Sequence, residues 1–275
     1  MSLASLRAAL RRASTRGATG IVTWQDEFEF EGADPLSATL GGTGRPAKGK
    51  DERVKDSRPT PPVLTDRVFS AVLFDNDGTL IDSTPAVVRS WTTWAQEYGV
   101  EALGLTKYHG VPAAAIIAQV APHLDQAAAL QRIIELEEGD TDGVLALPGA
   151  VAAVRALVGR AAVVTSATHS LALARLQAAG IPIPEVLVTA DDITRGKPDP
   201  EPYLLAAGRL GVDAADCLVI EDAPSGLAAA RAARCSTLAV TTTVPPEDLS
   251  ADLIVQDLAA VTFTRTSAGI TLSLS

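Results

Sequence analysis

A chain of 275 residues with 23 basic and 33 acidic side chains carries a formal charge of −10, which denies it the positive field that nucleic-acid binding requires. Its 47% hydrophobic and 20% charged residues are a globular balance, long enough for one large domain or two modest ones, while 4% aromatics leave little for base stacking. Two cysteines, Cys217 and Cys235, are too few for a disulfide framework or a four-thiolate zinc site, and no apolar run approaches the roughly 20 residues that span a bilayer. The expectation is a soluble, cytoplasmic protein with no nucleic-acid or membrane partner.

The charges are unevenly placed. Residues 1–65 hold 10 basic and 8 acidic side chains, and residues 66–275 hold 13 and 25. Residues 1–20 carry Arg7, Arg11, Arg12 and Arg16, no acid, and Leu3, Leu6 and Leu10 at helical spacing. That composition suits an organelle transit peptide and equally a plain basic extension. Ile21-Val22-Thr23-Trp24 and Phe28-Glu29-Phe30 suit a short strand. Residues 32–62 run through Gly41-Gly42-Thr43-Gly44, alternating charges from Lys48 to Arg58, and Pro59, Pro61 and Pro62, the texture of a linker. Residues 1–65 are therefore expected to form a low-order extension. Gly42-x-Gly44-x-x-Ala47 formally meets the dinucleotide fingerprint, and Gly44 to Lys50 nearly meets a P-loop. Both lack a preceding strand, Pro46 interrupts them, and Asp51 stands where a P-loop needs Ser or Thr.

From Arg67 onward, short apolar runs alternate with alanine- and leucine-rich stretches. Strands are predicted at Ala71-Val72-Leu73-Phe74, Ala161-Ala162-Val163-Val164, Val186-Leu187-Val188, Leu218-Val219-Ile220, Leu238-Ala239-Val240 and Leu253-Ile254-Val255. Helices are predicted near 149–158, 169–179, 200–210 and 224–233. Continuous apolar strands covered by helices on both faces make a doubly wound parallel α/β sheet. Residues 85–146 break the rhythm with Ala86 to Tyr98, Ala113 to Val120 and Asp125 to Glu138, an all-helical insert between the first and second strands. The expected organisation is a core of 66–84 and 147–262, a helical insert of 85–146, and a tail of 263–275 with no assigned role.

Ligands of such sheets sit beyond the carboxyl ends of the strands. The first strand runs into Asp75-Asn76-Asp77-Gly78-Thr79, where carboxylates at i and i+2 project to one side and Gly78 permits a sharp turn. One carboxylate can serve as nucleophile and its neighbour as general acid and base. The second leads into Thr165-Ser166-Ala167-Thr168, a hydroxyl and backbone amides before a helix, suited to an anion or to a plain N-cap. The third leads to Gly196-Lys197-Pro198-Asp199-Pro200, which stiffens a loop around Lys197. The fourth ends in Ile220-Glu221-Asp222, adjacent acids at a semi-buried strand end that call for a cation, magnesium being the natural hard ion. These parts fit phosphoryl transfer, in which metal and lysine neutralise charge on the phosphoryl oxygens.

The ordered set Asp75-x-Asp77-Gly78-Thr79, Ser166, Lys197 and Glu221-Asp222 resembles the haloacid dehalogenase superfamily of phosphatases, with a helical cap inserted after the first motif. The likeness covers about 66–260. Pro148-Gly149-Ala150, Val164-Thr165-Ser166-Ala167, Arg195-Gly196-Lys197-Pro198, Glu221-Asp222-Ala223-Pro224-Ser225-Gly226 and His109-Gly110 look most like its sugar-phosphate and glycerol-phosphate phosphatases. The resemblance implies that Asp75 takes the phosphoryl group and Asp77 shuttles the proton. It implies that Ser166, the Ala167 amide and Lys197 hold phosphate. Magnesium would bind Asp75, the Asp77 carbonyl and Asp222, with Glu221 direct or through water. His109, in a loop between cap helices, suits contact with substrate hydroxyls and equally a helix-end histidine facing solvent. The implied protein is a monomer acting on a small-molecule phosphate ester. Asp77 argues against the dehalogenases, which lack an acid there. A phosphosugar mutase shares every core motif, but after Asp82-Ser83 this chain continues Thr84-Pro85-Ala86-Val87-Val88, without the histidine that such mutases place early in the first cap helix. A non-catalytic binding module is the remaining alternative, with no physical need for paired buried acids.

Overall fold

A computed structural model describes residues 63–101 and 111–275; residues 1–62 of the predicted extension, with its short strand and its linker, and His109, lie outside the described residues, whereas Leu64, expected in that extension, is buried in the core. No helix among the described residues is long and apolar enough to cross a membrane. Six parallel strands form the central sheet: β1 (Ala71–Phe74), β4 (Ala161–Val164), β5 (Val186–Val188), β6 (Cys217–Glu221), β7 (Ser236–Val240) and β8 (Leu253–Val255), with β2 and β3 lying outside it. Their spatial order is β5-β4-β1-β6-β7-β8. Every strand predicted from Arg67 onward is present, with β6 and β7 each two residues longer than expected.

β1 is central and wholly buried. Its alternate residues feed two separate cores, as the two-residue side-chain period requires. Val72 and Phe74 face a layer that includes α4 (Ala150–Ala156) and α5 (His169–Ala178). Ala71 and Leu73 face α6 (Glu201–Leu210) and α7 (Pro224–Ala232), where Tyr203, Ala206, Ala229 and Ala230 pack against them. β1 pairs β4 on one side and β6 on the other, with Phe74 opposite Val163 and Ile220. That register brings Asp75, the Thr165–Ser166 loop and Glu221 to one edge of the sheet.

The insert consists of α1 (Thr84–Glu97), α2 (Ala113–Val120) and α3 (Gln126–Gly139), which enclose a core of their own. Trp91, Trp94 and Tyr98 form the predicted stripe along α1, their rings tilted against one another at 5.5 and 4.9 Å between centroids, and the Trp94 indole donates to the Ala129 carbonyl. The two chain crossings into this cap pair with each other. β2 (Ile81–Asp82) runs antiparallel to β3 (Leu145–Ala146), two short strands that sequence patterning did not reveal because two residues carry no period.

Residues 263–275, expected to be a tail, are built into the core instead. β9 (Val261–Arg265) and β10 (Ile270–Leu274) form an antiparallel hairpin. Phe263, Ile270 and Leu272 bury themselves beneath the sheet, Phe263 edge-on to Phe74 at 6.4 Å. Phe69 and Ile270 exchange both backbone hydrogen bonds at 2.8 Å, anchoring the hairpin beside the start of β1. Phe263→Ala is expected to cost about 3–5 kcal/mol, read as a lower urea midpoint; an unchanged midpoint would mean that the hairpin is dispensable.

Candidate active site

Four loops leave the carboxyl edge of the sheet and meet above β1. Asp75 follows Phe74 directly and is buried. The Lys197 ammonium reaches it at 2.6 Å, reaches Glu221 at 2.7 Å and also donates to the Val164 carbonyl at 3.0 Å. That carbonyl ends the strand from which the Thr165–Ser166 loop departs. The Lys197 loop is tied down by Glu201, whose carboxylate accepts from the backbone N–H groups of Thr194 and Arg195. Two prolines and this clasp fix a long, flexible side chain in one place.

Glu221 has no spare oxygen. One accepts from Lys197 and, at 2.9 Å, from the buried Tyr203 hydroxyl; the other accepts from the backbone N–H groups of Asp222 and Ala223. α7 begins so close to this carboxylate that a Cβ at Gly226 would stand 1.6 Å from its Oε1. Only glycine fits there. Asp222 is held by hydroxyls instead: Thr79 donates to Oδ1 at 3.3 Å and Thr243 to Oδ2. Gly78, at a φ of +91°, turns the chain over Asp222 where a Cβ would approach Oδ2 to 2.2 Å.

Asp75, Glu221 and Asp222 each offer a carboxylate oxygen, and these atoms all lie within 4.8 Å of one another. Burial, followed by repulsion from Glu221, pushes the Asp75 carboxyl well above its ordinary range despite Lys197. The same two causes push Asp222 up to about 7, against the pull of Thr243 and Lys197. Burial would depress Lys197, but Asp75 and Glu221 more than offset it and hold the ammonium charged. Three carboxylates against one ammonium leave two negative charges uncompensated in a dry site, the complement of a divalent cation bound by oxygen. Asp75 and Asp222 have the oxygens to hold one; the charge balance and donor set of the site fit magnesium.

Asp77 lies two residues on and is part-exposed. Its Oδ1 accepts from the Ser83 hydroxyl at 2.6 Å and from Arg175 Nη1 at 2.9 Å. At the second strand end, Ser166 is half-buried. The Ala167 amide donates to the Thr165 hydroxyl at 3.1 Å, and Thr168 caps α5 through the Leu171 N–H. Lys197 thus joins Asp75 and Glu221, and Asp222 lies beside those two carboxylates, while Ser166, Ala167 and Asp77 occupy the neighbouring loops on the same edge. Sequence reasoning passed over Tyr203, Thr243, Ser83 and Arg175. Tyr203, Thr243 and Arg175 reach the site from 18 to 98 residues away, Ser83 from only 6, and none carries a motif of its own.

Residues 69–234 match the model of the haloacid dehalogenase-like hydrolases. Hexitol phosphatase A of Escherichia coli is 39% identical over 205 residues, covering 72% of this chain and 95% of that protein. Glycerol-1-phosphate phosphohydrolase 2 of Saccharomyces cerevisiae is 32% identical, covering 68% of this chain and 82% of its own. Among solved structures, a hydrolase from Pseudomonas syringae superposes with a TM-score of 0.61 at 26% identity, over 69% of this chain and 94% of that one. With the motif residues of four loops gathered at one sheet edge and a match this long, the chain belongs to the haloacid dehalogenase-like hydrolase family.

Proposed function

We propose that this phosphoric monoester hydrolase acts on small phosphorylated sugars or polyols, with Asp75 as nucleophile, Asp77 as general acid and base, and magnesium at Asp75 and Asp222. The observation that carries the reading is Lys197, which bridges Asp75 and Glu221 while Asp222 stands beside them with no cationic side chain among the described residues paired to it. An Asp75 oxygen bonds to phosphorus as the ester P–O bond breaks, and Asp77 gives its proton to the departing alkoxide. Asp77 then takes a proton from water, whose oxygen attacks the aspartyl-phosphate and releases phosphate and free Asp75. Lys197, the Ser166 hydroxyl and backbone amides of its loop stabilise charge on the phosphoryl oxygens. Magnesium, when bound, neutralises that same charge beside the nucleophile. Glu221, with both oxygens engaged by protein donors, fixes Lys197 and would leave direct contact with a cation to Asp75 and Asp222.

The substrate class is supported by relatives named for hexitol phosphate and glycerol 1-phosphate hydrolysis. Water rather than a second sugar hydroxyl is the acceptor, since α1 opens Thr84-Pro85-Ala86-Val87-Val88 with no histidine to position one. A panel of hexitol, glycerol and hexose phosphates, assayed for phosphate release with and without magnesium, tests the reading. The expected result is magnesium-dependent release, with kcat/KM of the best polyol or sugar ester at or above about 10⁴ M⁻¹s⁻¹. Release from none of them would refute it.

A further inference from the structure

We propose that Arg175 and the cap residue Glu137 are positioning residues that orient the Asp77 carboxylate, so that proton delivery to the leaving group depends on the cap being seated. Arg175 lies on the core helix α5, two turns beyond the phosphate loop, and only 4% of it is exposed. Its guanidinium spans two carboxylates on different parts of the molecule. Nη1 meets Asp77 at 2.9 Å, and Nη2 meets Glu137 of the cap helix α3 at 3.3 Å. Glu137 is itself buried and pinned to this contact. The next residue, Glu138, accepts from the hydroxyls of Thr168 and Ser170 at the start of α5. Two consecutive cap carboxylates therefore grip the helix that carries the phosphate loop, one at its first turn and one through the arginine that reaches Asp77.

A buried arginine has little tolerance for being left with a single partner. A planar fork with two carboxylates is a fixed geometry that lysine cannot reproduce. Arg175 and Ser83 both occupy Oδ1 of Asp77, which leaves Oδ2 facing, among the described residues, no stronger donor than the Asn76 amide at 3.2 Å. Oδ2 is thus the oxygen presented for proton transfer. Removing Glu137 frees the guanidinium to swing, and the carboxylate it holds turns with it.

The inference rests on the acid role proposed for Asp77, and leaving groups separate the two. A sugar or glycerol alkoxide must receive a proton to depart, whereas nitrophenolate departs without one. The readout is the ratio of kcat/KM for glycerol or hexitol phosphate to kcat/KM for p-nitrophenyl phosphate, relative to the wild-type ratio. Asp77→Asn sets the scale and is expected to lower this ratio by about 10²-fold or more. Arg175→Met combined with Glu137→Gln, which removes the charge and its partner together, is expected to lower it about tenfold or more, Glu137→Gln alone about threefold, and Arg175→Lys by less than the double change. Glu137→Gln keeps the side chain's shape and reports even if the double variant folds poorly. An unchanged ratio in Glu137→Gln and Arg175→Lys, with Asp77→Asn discriminating as expected, overturns the positioning role alone. Indifference of Asp77→Asn to the leaving group overturns the acid role, and the positioning role with it.

Discussion

Asp75→Asn is expected to lower kcat by at least about 10⁴-fold on every ester while leaving the fold intact. An amide at this position cannot bond to phosphorus, and no neighbouring carboxylate replaces it: Glu221 has both oxygens engaged, and Asp222 is held by Thr79 and Thr243. The structural consequence runs the other way. Burial and Glu221 raise the Asp75 carboxyl, so the folded state holds its proton more tightly than the unfolded chain does. Such a group favours folding in acid and becomes a cost as pH climbs through its folded-state value. An amide carries no charge at any pH, so in metal-free buffer above neutrality Asp75→Asn should melt no lower than the wild type. Lys197 keeps Glu221 and the Val164 carbonyl as partners. Phosphate release under single-turnover conditions and a thermal melt at matched pH check both halves. Activity within tenfold of wild type, or a collapsed melting transition, would remove Asp75 from its role.

The parts of the fold that were legible in the sequence share one property: their signal is local. β1, β4 and β6 are unbroken apolar runs because both faces of a central parallel strand are covered. The strand-end acids stand out because a carboxylate after such a run is anomalous. The hairpin β9–β10 also carried a local signal, Thr262-Phe263-Thr264 and then Ile270-Thr271-Leu272-Ser273 around a Ser267-Ala268-Gly269 turn. It was lost against a background of small polar residues. What was not legible is contact between segments. Arg175 is 98 residues from Asp77 and 38 from Glu137, on a helix whose pattern needs only a polar position there. Thr243 lies 21 residues beyond Asp222 in a run of three threonines. Glu221 offered the opposite difficulty. Its residue type suggests a metal ligand, but the fold spends both its oxygens on Lys197, Tyr203 and two backbone amides. Type and spacing show which groups reach a sheet edge; only packing decides which of them keeps a free lone pair.

Chelating divalent cations is expected to silence the enzyme and to make its stability fall as pH rises. Asp222 is held at about 7 in the folded protein, against 3.8 for a free aspartate, chiefly by burial and then by Glu221. Between those values the folded state binds a proton that the unfolded chain has released, so stability is greatest below the lower value and is lost up to the higher one. Asp75 shifts stability in the same direction. Magnesium requires both carboxylates ionised and opposes that slope: at a hundred times its dissociation constant it contributes about 2.7 kcal/mol, and more so at about pH 8 than at about pH 5. Calorimetric melts across that range, with chelator and with magnesium, read the effect. A flat metal-free profile, or an equal magnesium shift at both ends, would mean that the carboxylate cluster is not the cation's site. Potassium at matched ionic strength should not substitute, because one positive charge leaves the second carboxylate buried and unpaired.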